Sequence, residues 1–377
     1  MDESTLLSPQ SKNKDNSAKA ILEEAPTAHN NRNDNAISDE GPSPFLPDTQ
    51  VQYAIDSTSL GYFKRCPRLY QYAIIDRWRA RGESLDLRFG LEFHQAMQDY
   101  AKSRAAGIPH DDSVFDVINE LGFRTDDWRP TEDTHGKKAK YKNREFLIRS
   151  VIWYLDDHAE DSVQTYIKAD GAPAVELNFK FELDWGPIQG TNNLAMRINT
   201  EEELERTGYG TTVVANQPYV LCGHIDRVVV YAGELFVNDY KTTTRTLSPS
   251  FFNQFEPDNQ MTIYTLAGKV VLSAPIKGVL IDGVQIGIEV ETNRSVRSFT
   301  YRTQDQLDEW LLDLRYWLGL MEQYAIQDYW PQNDTSCDKY GGCMFRKICS
   351  KSPGVREAFL KSDFEKGPQW NPLIPRE

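Results

Sequence analysis

Residues 233–243 read Gly-Glu-Leu-Phe-Val-Asn-Asp-Tyr-Lys-Thr-Thr, "GELFVNDYKTT". Side chains alternate along a strand, so Leu235, Val237, Asp239 and Lys241 fall on one side while Tyr240 points to the other. The preceding run, "GHIDRVVVY" (223–231), is separated from this one by only Ala232-Gly233, the length of a tight hairpin turn. Folded symmetrically about those two residues, the hairpin sets Val230 opposite Leu235, Val228 opposite Val237 and Asp226 opposite Asp239. One face of the pair is then apolar near the turn and doubly acidic at the far end.

Like charges set across a ladder repel, and more so when partly buried, unless a positive group neutralises them. Lys241 supplies one charge, and a divalent cation would supply the rest. Oxygen ligands suit magnesium, and an added histidine makes manganese an alternative. A bound cation of this kind can activate a water and stabilise charge growing on a phosphate. The plainer reading is an exposed hairpin end carrying an Asp-Lys ion pair, since short Asp-x-Lys strings are common.

Around the hairpin, the periodicity gives helices, then strands, then helices, without repeats. Asp56 or Ser57 can cap a helix through Leu60, Phe63 and Leu69 that Pro67 must kink or end. "LRFGLEFHQAMQDYAKSR" places Leu87, Leu91, His94 and Met97 at helical spacing, with His94 on or beside the apolar face. "REFLIRSVIWYLDDHAEDSVQTY" has the same period. Strands are expected in "APAVELNFKFELDW", in the hairpin and in "IKGVLIDGVQIG", with helices in "FFNQFEPDNQMTIYTLAGKVVL" and "QDQLDEWLLDLRYWLGLMEQYAI". The expected fold is α/β, a small mixed central sheet flanked by helices, in one domain over residues 51–350. A polar insertion at about 186–214 elaborates the sheet edge. Residues 1–50, rich in Asn, Ser, Asp and Pro, read as a disordered polar tail, and 351–377 as a loosely attached C-terminal tail.

The 377 residues are 40% hydrophobic, enough for a core. There is neither a bilayer-length apolar run nor a secretory leader pattern, so the expected location is the cytoplasm, with no membrane partner. Five cysteines, an odd number, point to reduced thiols, free or metal-bound, rather than a disulfide framework. A net charge of −14 disfavours indiscriminate nucleic-acid binding, but the basic residues cluster locally. Lys64, Arg65, Arg68, Arg77, Arg79 and Arg81 interleave with Tyr70, Tyr72 and Trp78, and Lys137, Lys138, Lys140, Lys142 and Arg144 form a second group. Each cluster reads equally as solvated helix charge.

Five ordered motifs, "GLEFH" (Gly90–His94), Glu176 in "AVELNF", "GHID" (Gly223–Asp226), "DYKT" (Asp239–Thr242) and "QMTIY" (Gln260–Tyr264), together resemble the RecB-like branch of the PD-(D/E)XK nuclease superfamily. The resemblance runs from about residue 55 to 350 and implies a restriction-endonuclease-like core and a metal-dependent DNA nuclease. By this resemblance His94, Asp226, Asp239 and the Tyr240 carbonyl hold Mg2+ or Mn2+, Lys241 is the catalytic lysine, and Glu176 lines the site. Gln260 and Tyr264 face it from a helix and help hold DNA. Cys66, in "FKRCPRLYQY", with Cys337, Cys343 and Cys349, in "CDKYGGCMFRKIC", resembles the cluster-binding set of the iron-sulfur members, such as AddB-type nucleases and the CRISPR-associated RecB-like exonucleases. The implied group is a 4Fe-4S cluster, with zinc as the alternative. The downstream cysteines are spaced more widely at first than in better-known members, and no proline precedes Asp226. Arg65, Arg68 and Tyr70 are candidates for gripping the strand. No phosphate-binding Gly-Lys-Ser/Thr loop occurs, so the resemblance is to a stand-alone nuclease, a form that phages encode among others. It could work beside recombination, repair or replication proteins, and a catalytically inactive binding or assembly subunit is the alternative.

Overall fold

In the computed structural model, which describes residues 41–183, 219–338 and 342–374, the hairpin has the expected register: Tyr231 pairs with Glu234, Val230 with Leu235 and Val228 with Val237. Ala232 and Gly233 both take positive φ, +50° and +81°, the conformation in which a two-residue turn matches the twist of its strands. The ladder ends at Arg227–Asn238, one residue short of the two acids.

The strands are β1 Ala54–Ile55, β2 Trp78–Ala80, β3 Gln164–Thr165, β4 Val175–Glu182, β5 Val220–Tyr231, β6 Glu234–Thr243, β7 Ile276–Gln285, β8 Arg294–Thr300 and β9 Phe364–Lys366. The principal helices are α1 Ser57–Arg65, α2 Pro67–Tyr70, α3 Leu85–Ala105, α4 His110–Arg124, α5 Arg144–Asp157, α6 Asn259–Leu272, α7 Gln304–Ile326 and α8 Pro353–Asp363. The main sheet runs β1-β5-β6-β7-β8, and β3 and β4 also pair with β5. It is mixed: β6 and β7 are parallel, joined through α6, whereas β4, β5 and β6 are antiparallel, as are β7 and β8. A mixed sheet flanked by helices is the expected architecture. The short strand β8, "RSVRSFT", was not expected, because it carries only two large apolar residues and reads as loop.

Alternation in β6 assigns its two faces to different layers. Val237 packs with Leu60, Phe63, Met261, Ile263, Leu314 and Leu318, which builds α1, α6 and α7 onto one side. Tyr240 packs with Phe89, Phe93, Leu121, Leu147 and Tyr154, placing α3, α4 and α5 on the other. Each such fully buried side chain contributes roughly 1.5–3 kcal/mol. At Gly268 an added Cβ would stand 3.0 Å from both Val237 Cγ2 and Ile276 Cγ1, so glycine lets α6 lie close on the sheet. Asp56 caps α1 in a reciprocal box with Ser59, Ser84 caps α3, and Thr303 with Gln306 caps α7. Pro67 stands at the first position of α2, where its missing N–H costs nothing.

Three expectations need adjustment. In α3 the buried stripe is Leu85, Phe89, Phe93, Met97 and Ala101, so Leu87 and Leu91 face outward instead of packing in the core. The two candidate stripes overlap in period, and phenylalanine, with more area to bury, takes the core. The C-terminal segment is docked: α8 spans eleven residues, β9 pairs antiparallel with β2, and Leu360 and Phe364 are buried beside Trp78 and Phe345. At the other end Leu46 is already in the core, ahead of the expected boundary at 50. The insertion expected at 186–214 lies outside the described residues.

Candidate active site

The strand ends, α3 and α6 bring the five sequence motifs to one place. Past the last β5–β6 pair, Asp226 and Asp239 stand where the ladder opens. His94, on α3, bridges the gap: Nδ1 lies 2.9 Å from Asp226 Oδ2 and Nε2 lies 2.8 Å from the Tyr240 carbonyl oxygen. A carbonyl oxygen can only accept, so Nε2 donates to Tyr240, and Nδ1 shares its hydrogen bond with the Asp226 carboxyl. Burial works against a positive charge on the ring, but the charge and hydrogen bond of Asp226 outweigh it and hold the His94 pKa above its ordinary value.

Asp239 is 1% exposed, and burial raises its pKa; Lys241 opposes the shift while Asp226 adds to it. Lys241 Nζ lies 3.1 Å from Asp239 Oδ1 and donates to Gln260 Oε1 at 2.9 Å. The Gln260 amide in turn donates to the Tyr264 hydroxyl at 2.9 Å. The ammonium, a donor only, selects the oxygen end of the amide, Tyr264 anchors the other end, and so Gln260 and Tyr264, one helical turn apart, act on Lys241 in series.

Glu176 lies on β4 between Val175, paired with Arg227, and Leu177, paired with Ile225, which places it across from Asp226. Its φ of +53° is unfavourable for any residue with a Cβ, and such strain concentrates at functional sites. Two α3 side chains hold it: Gln98 hydrogen-bonds Glu176 Oε2, and Lys102 Nζ lies 3.3 Å from the same atom. The sequence reading missed both, although they follow His94 at i+4 and i+8, the spacing that keeps side chains on one helical face.

The donor set has the chemistry for a divalent cation: two carboxylates, an imidazole and a backbone carbonyl. Asp239 Oδ2 is buried and accepts no hydrogen bond; Lys241 Nζ is 2.9 Å away but poorly aligned with it. With Asp226 facing it, the pair of acids has more negative charge than Lys241 alone offsets, and an ion would supply the rest. In this conformation His94 meets Asp226 directly, and among the described residues no three His, Cys, Asp or Glu side chains meet as ligands around one ion.

A family model described as the PD-(D/E)XK nuclease superfamily matches residues 57–350, most of the chain. The chain belongs to the PD-(D/E)XK nuclease superfamily. It is also similar to the Gene 69 protein of Mycobacterium phage D29, 24% identical over 233 residues, covering 58% of this chain and 70% of the phage protein. Membership implies a nucleic-acid hydrolase, and PD-(D/E)XK nucleases typically use Mg2+ or Mn2+.

The strand-gripping residues expected in this PD-(D/E)XK protein are placed differently. Tyr70 has no exposed surface: it packs between Phe63 and Trp330, and its hydroxyl donates to Gln52 Oε1 at 2.8 Å. It is a core residue and cannot stack on a base. Arg68 Nε is turned to the Trp330 carbonyl at 3.2 Å, binding α2 to the segment after α7. Arg65 lines a cavity of about 500 Å³ with Tyr62, Leu69, Cys343, Met344, Arg346 and Lys347. Sequence clustering identified a basic stretch, but helical geometry turned its aromatic members inward.

Cys66, Cys337, Cys343 and Cys349 line one small cavity, with Arg65, Asn333 and Phe345 among its other walls. The Asn333 N–H points at Cys66 Sγ from 3.3 Å, and its side-chain amide donates to the Arg65 carbonyl. Burial, with the neighbouring thiols adding to it, raises the pKa of Cys337 and Cys349. Cys222 is apart from this group: burial on β5 pushes its thiol up to about 12, the behaviour of a packed, unreactive cysteine.

Proposed function

We propose that this protein is a divalent-metal-dependent deoxyribonuclease of the RecB-like type, an exonuclease that hydrolyses phosphodiester bonds in single-stranded or end-processed DNA. The observation carrying this reading is the convergence of Asp226, Asp239, His94 and the Tyr240 carbonyl at the opening of the β5–β6 ladder, with Lys241 beside them. A cation held by those oxygens and the imidazole supplies an activated water and a counter-charge for the phosphate. Lys241, aimed by Gln260 and Tyr264, orients the attacking water or shares the developing charge. Asp239 keeps that ammonium at the strand end, and Glu176 adds an acid to the wall facing Asp226. The similarity to a phage protein is consistent with a phage-encoded enzyme working in host cytoplasm on recombining, repaired or replicating DNA.

The four clustered thiols fit a second, structural role. We assign Cys66, Cys337, Cys343 and Cys349 to a 4Fe-4S cluster that clips the end of α1 to the segment following α7. This is supported by their sharing one cavity and by the chemistry of four thiolates, which suits an iron-sulfur cluster, with zinc as the alternative. Iron and acid-labile sulfide in brown, anaerobically purified protein are expected, and colourless, zinc-loaded protein refutes the assignment.

The activity is tested on DNA labelled at its 5′ or 3′ end, with Mg2+ or Mn2+. Wild type is expected to release short products from one end, and Asp239→Ala and Lys241→Ala to be inactive. Variants that cleave as fast as wild type would overturn the site. DNA bound but not cut by wild type would identify the inactive assembly subunit instead.

A further inference from the structure

The displaced leucines of α3 bear on how the substrate lies. Single exposed leucines need no explanation, but Leu87 and Leu91 are 62% and 53% exposed and share a row with the site. Leu87, Leu91, His94 and Gln98 follow one another at steps of four, three and four residues. At about 100° per residue these four, with Lys102, fall within an arc of about 80°. Leu91 and Leu87 stand about 4.5 and 10.5 Å from His94 along the axis, at 1.5 Å per residue. Successive phosphates of one strand advance about 3.4 Å along the axis of duplex DNA and farther when the strand is stretched, so this is a reach of one to three nucleotides. A Cβ built on Gly90, just beside this row, meets nothing within 4 Å.

The row is framed by charge. Lys102 stands at one end, and at the other Asp86 holds Lys138 at 2.5 Å, bringing the exposed basic turn at Gly136–Lys140 to the start of α3. Lys102 and Lys138 are each shared with one carboxylate but remain half-exposed, and with the aliphatic surface between them they suit a strand whose phosphates track the ends and whose bases turn toward the helix. With Tyr70 in the core, these leucines are the apolar surface aligned with the candidate ligands.

We propose that Leu87 and Leu91 form a ledge that receives the unpaired bases beside the scissile phosphate, making the enzyme selective for single-stranded or frayed DNA. The inference rests on the DNA-nuclease reading. In a duplex the apolar base faces are stacked between neighbouring pairs, so it cannot offer them to the ledge without opening.

The test uses an end-labelled single-stranded oligodeoxynucleotide, the same strand with abasic sites near the cleaved end, and its blunt duplex. Cleavage and metal-free binding by anisotropy are both followed. Wild type should bind and cut the intact strand about tenfold better than the abasic one, the scale of burying one leucine-sized contact. L87S/L91S should lose that ratio and the preference over duplex, while Leu312→Ser, an equally exposed leucine on α7, keeps both. Exposed leucines contribute little to the core, so an unchanged thermal midpoint is expected. A double variant that retains the wild-type ratios refutes the ledge. Wild type that discriminates in binding but cuts nothing leaves the ledge standing and removes the nuclease reading.

Discussion

The Tyr264–Gln260–Lys241 series predicts a graded loss of activity. Replacing Gln260 by leucine removes the neutral acceptor of the Lys241 ammonium, leaving Asp239 as its identified partner. A hydrogen bond to a charged group is worth about 1.5–3 kcal/mol, a factor of roughly 10–150 in rate if it acts in the transition state. Tyr264→Phe removes only the group that fixes the amide, a neutral bond of about 0.5–1.5 kcal/mol, so a loss of roughly 2–12-fold is expected. With the hydroxyl gone the amide loses its second anchor and can swing away from the ammonium, which is why the effect passes on to Lys241. Single-turnover cleavage at saturating Mn2+ reports the chemical step, and Tm separates it from folding. Because the two residues act in series, Q260L/Y264F should be no slower than Q260L alone. An equal or larger loss for Tyr264→Phe, or additive losses in the double variant, would refute the relay.

Elsewhere, Glu322 is buried against the Tyr219 hydroxyl, and burial raises its pKa from 4.5 to about 7. A raised folded-state pKa means this contribution to stability is complete below pH 4.5 and lost as pH rises through 7. The loss amounts to about 3 kcal/mol by pH 8, and denaturant melts of Glu322→Gln should lack that slope; parallel wild-type and variant curves would exclude it. Glu176→Gly relieves the positive φ, so the variant should be as stable as wild type or about 1 kcal/mol more so while losing activity; a drop in both would make Glu176 structural. Tyr70→Phe strands the Gln52 carbonyl oxygen and should cost about 1–3 kcal/mol of stability by chemical denaturation, with DNA affinity unchanged.

Much of the site was legible because short-range rules wrote it. The two-residue turn at Ala232-Gly233 fixes the register, and the register alone carries Asp226 to Asp239. Helical spacing puts Gln260 with Tyr264, and the next two turns after His94 would have reached Gln98 and then Lys102. What failed was the choice between overlapping stripes. In α3 two apolar rows compete, and the neighbours Leu121, Leu147 and Tyr154 take the phenylalanines. For Tyr70, a string of arginines and aromatics does not say which way each side chain turns.

The sequence by itself determined the hairpin, its acidic end and the order of most of the larger strands and helices, because alternation, turn length and capping act over a few residues. Tertiary structure alone decided that His94 spans Asp226 and the Tyr240 carbonyl, that Gln98 and Lys102 hold Glu176, and that Cys66 meets Cys337, Cys343 and Cys349. Those meetings join residues some 70 to 280 positions apart. They depend on which faces the sheet and helices bury against one another, and no local pattern encodes that competition.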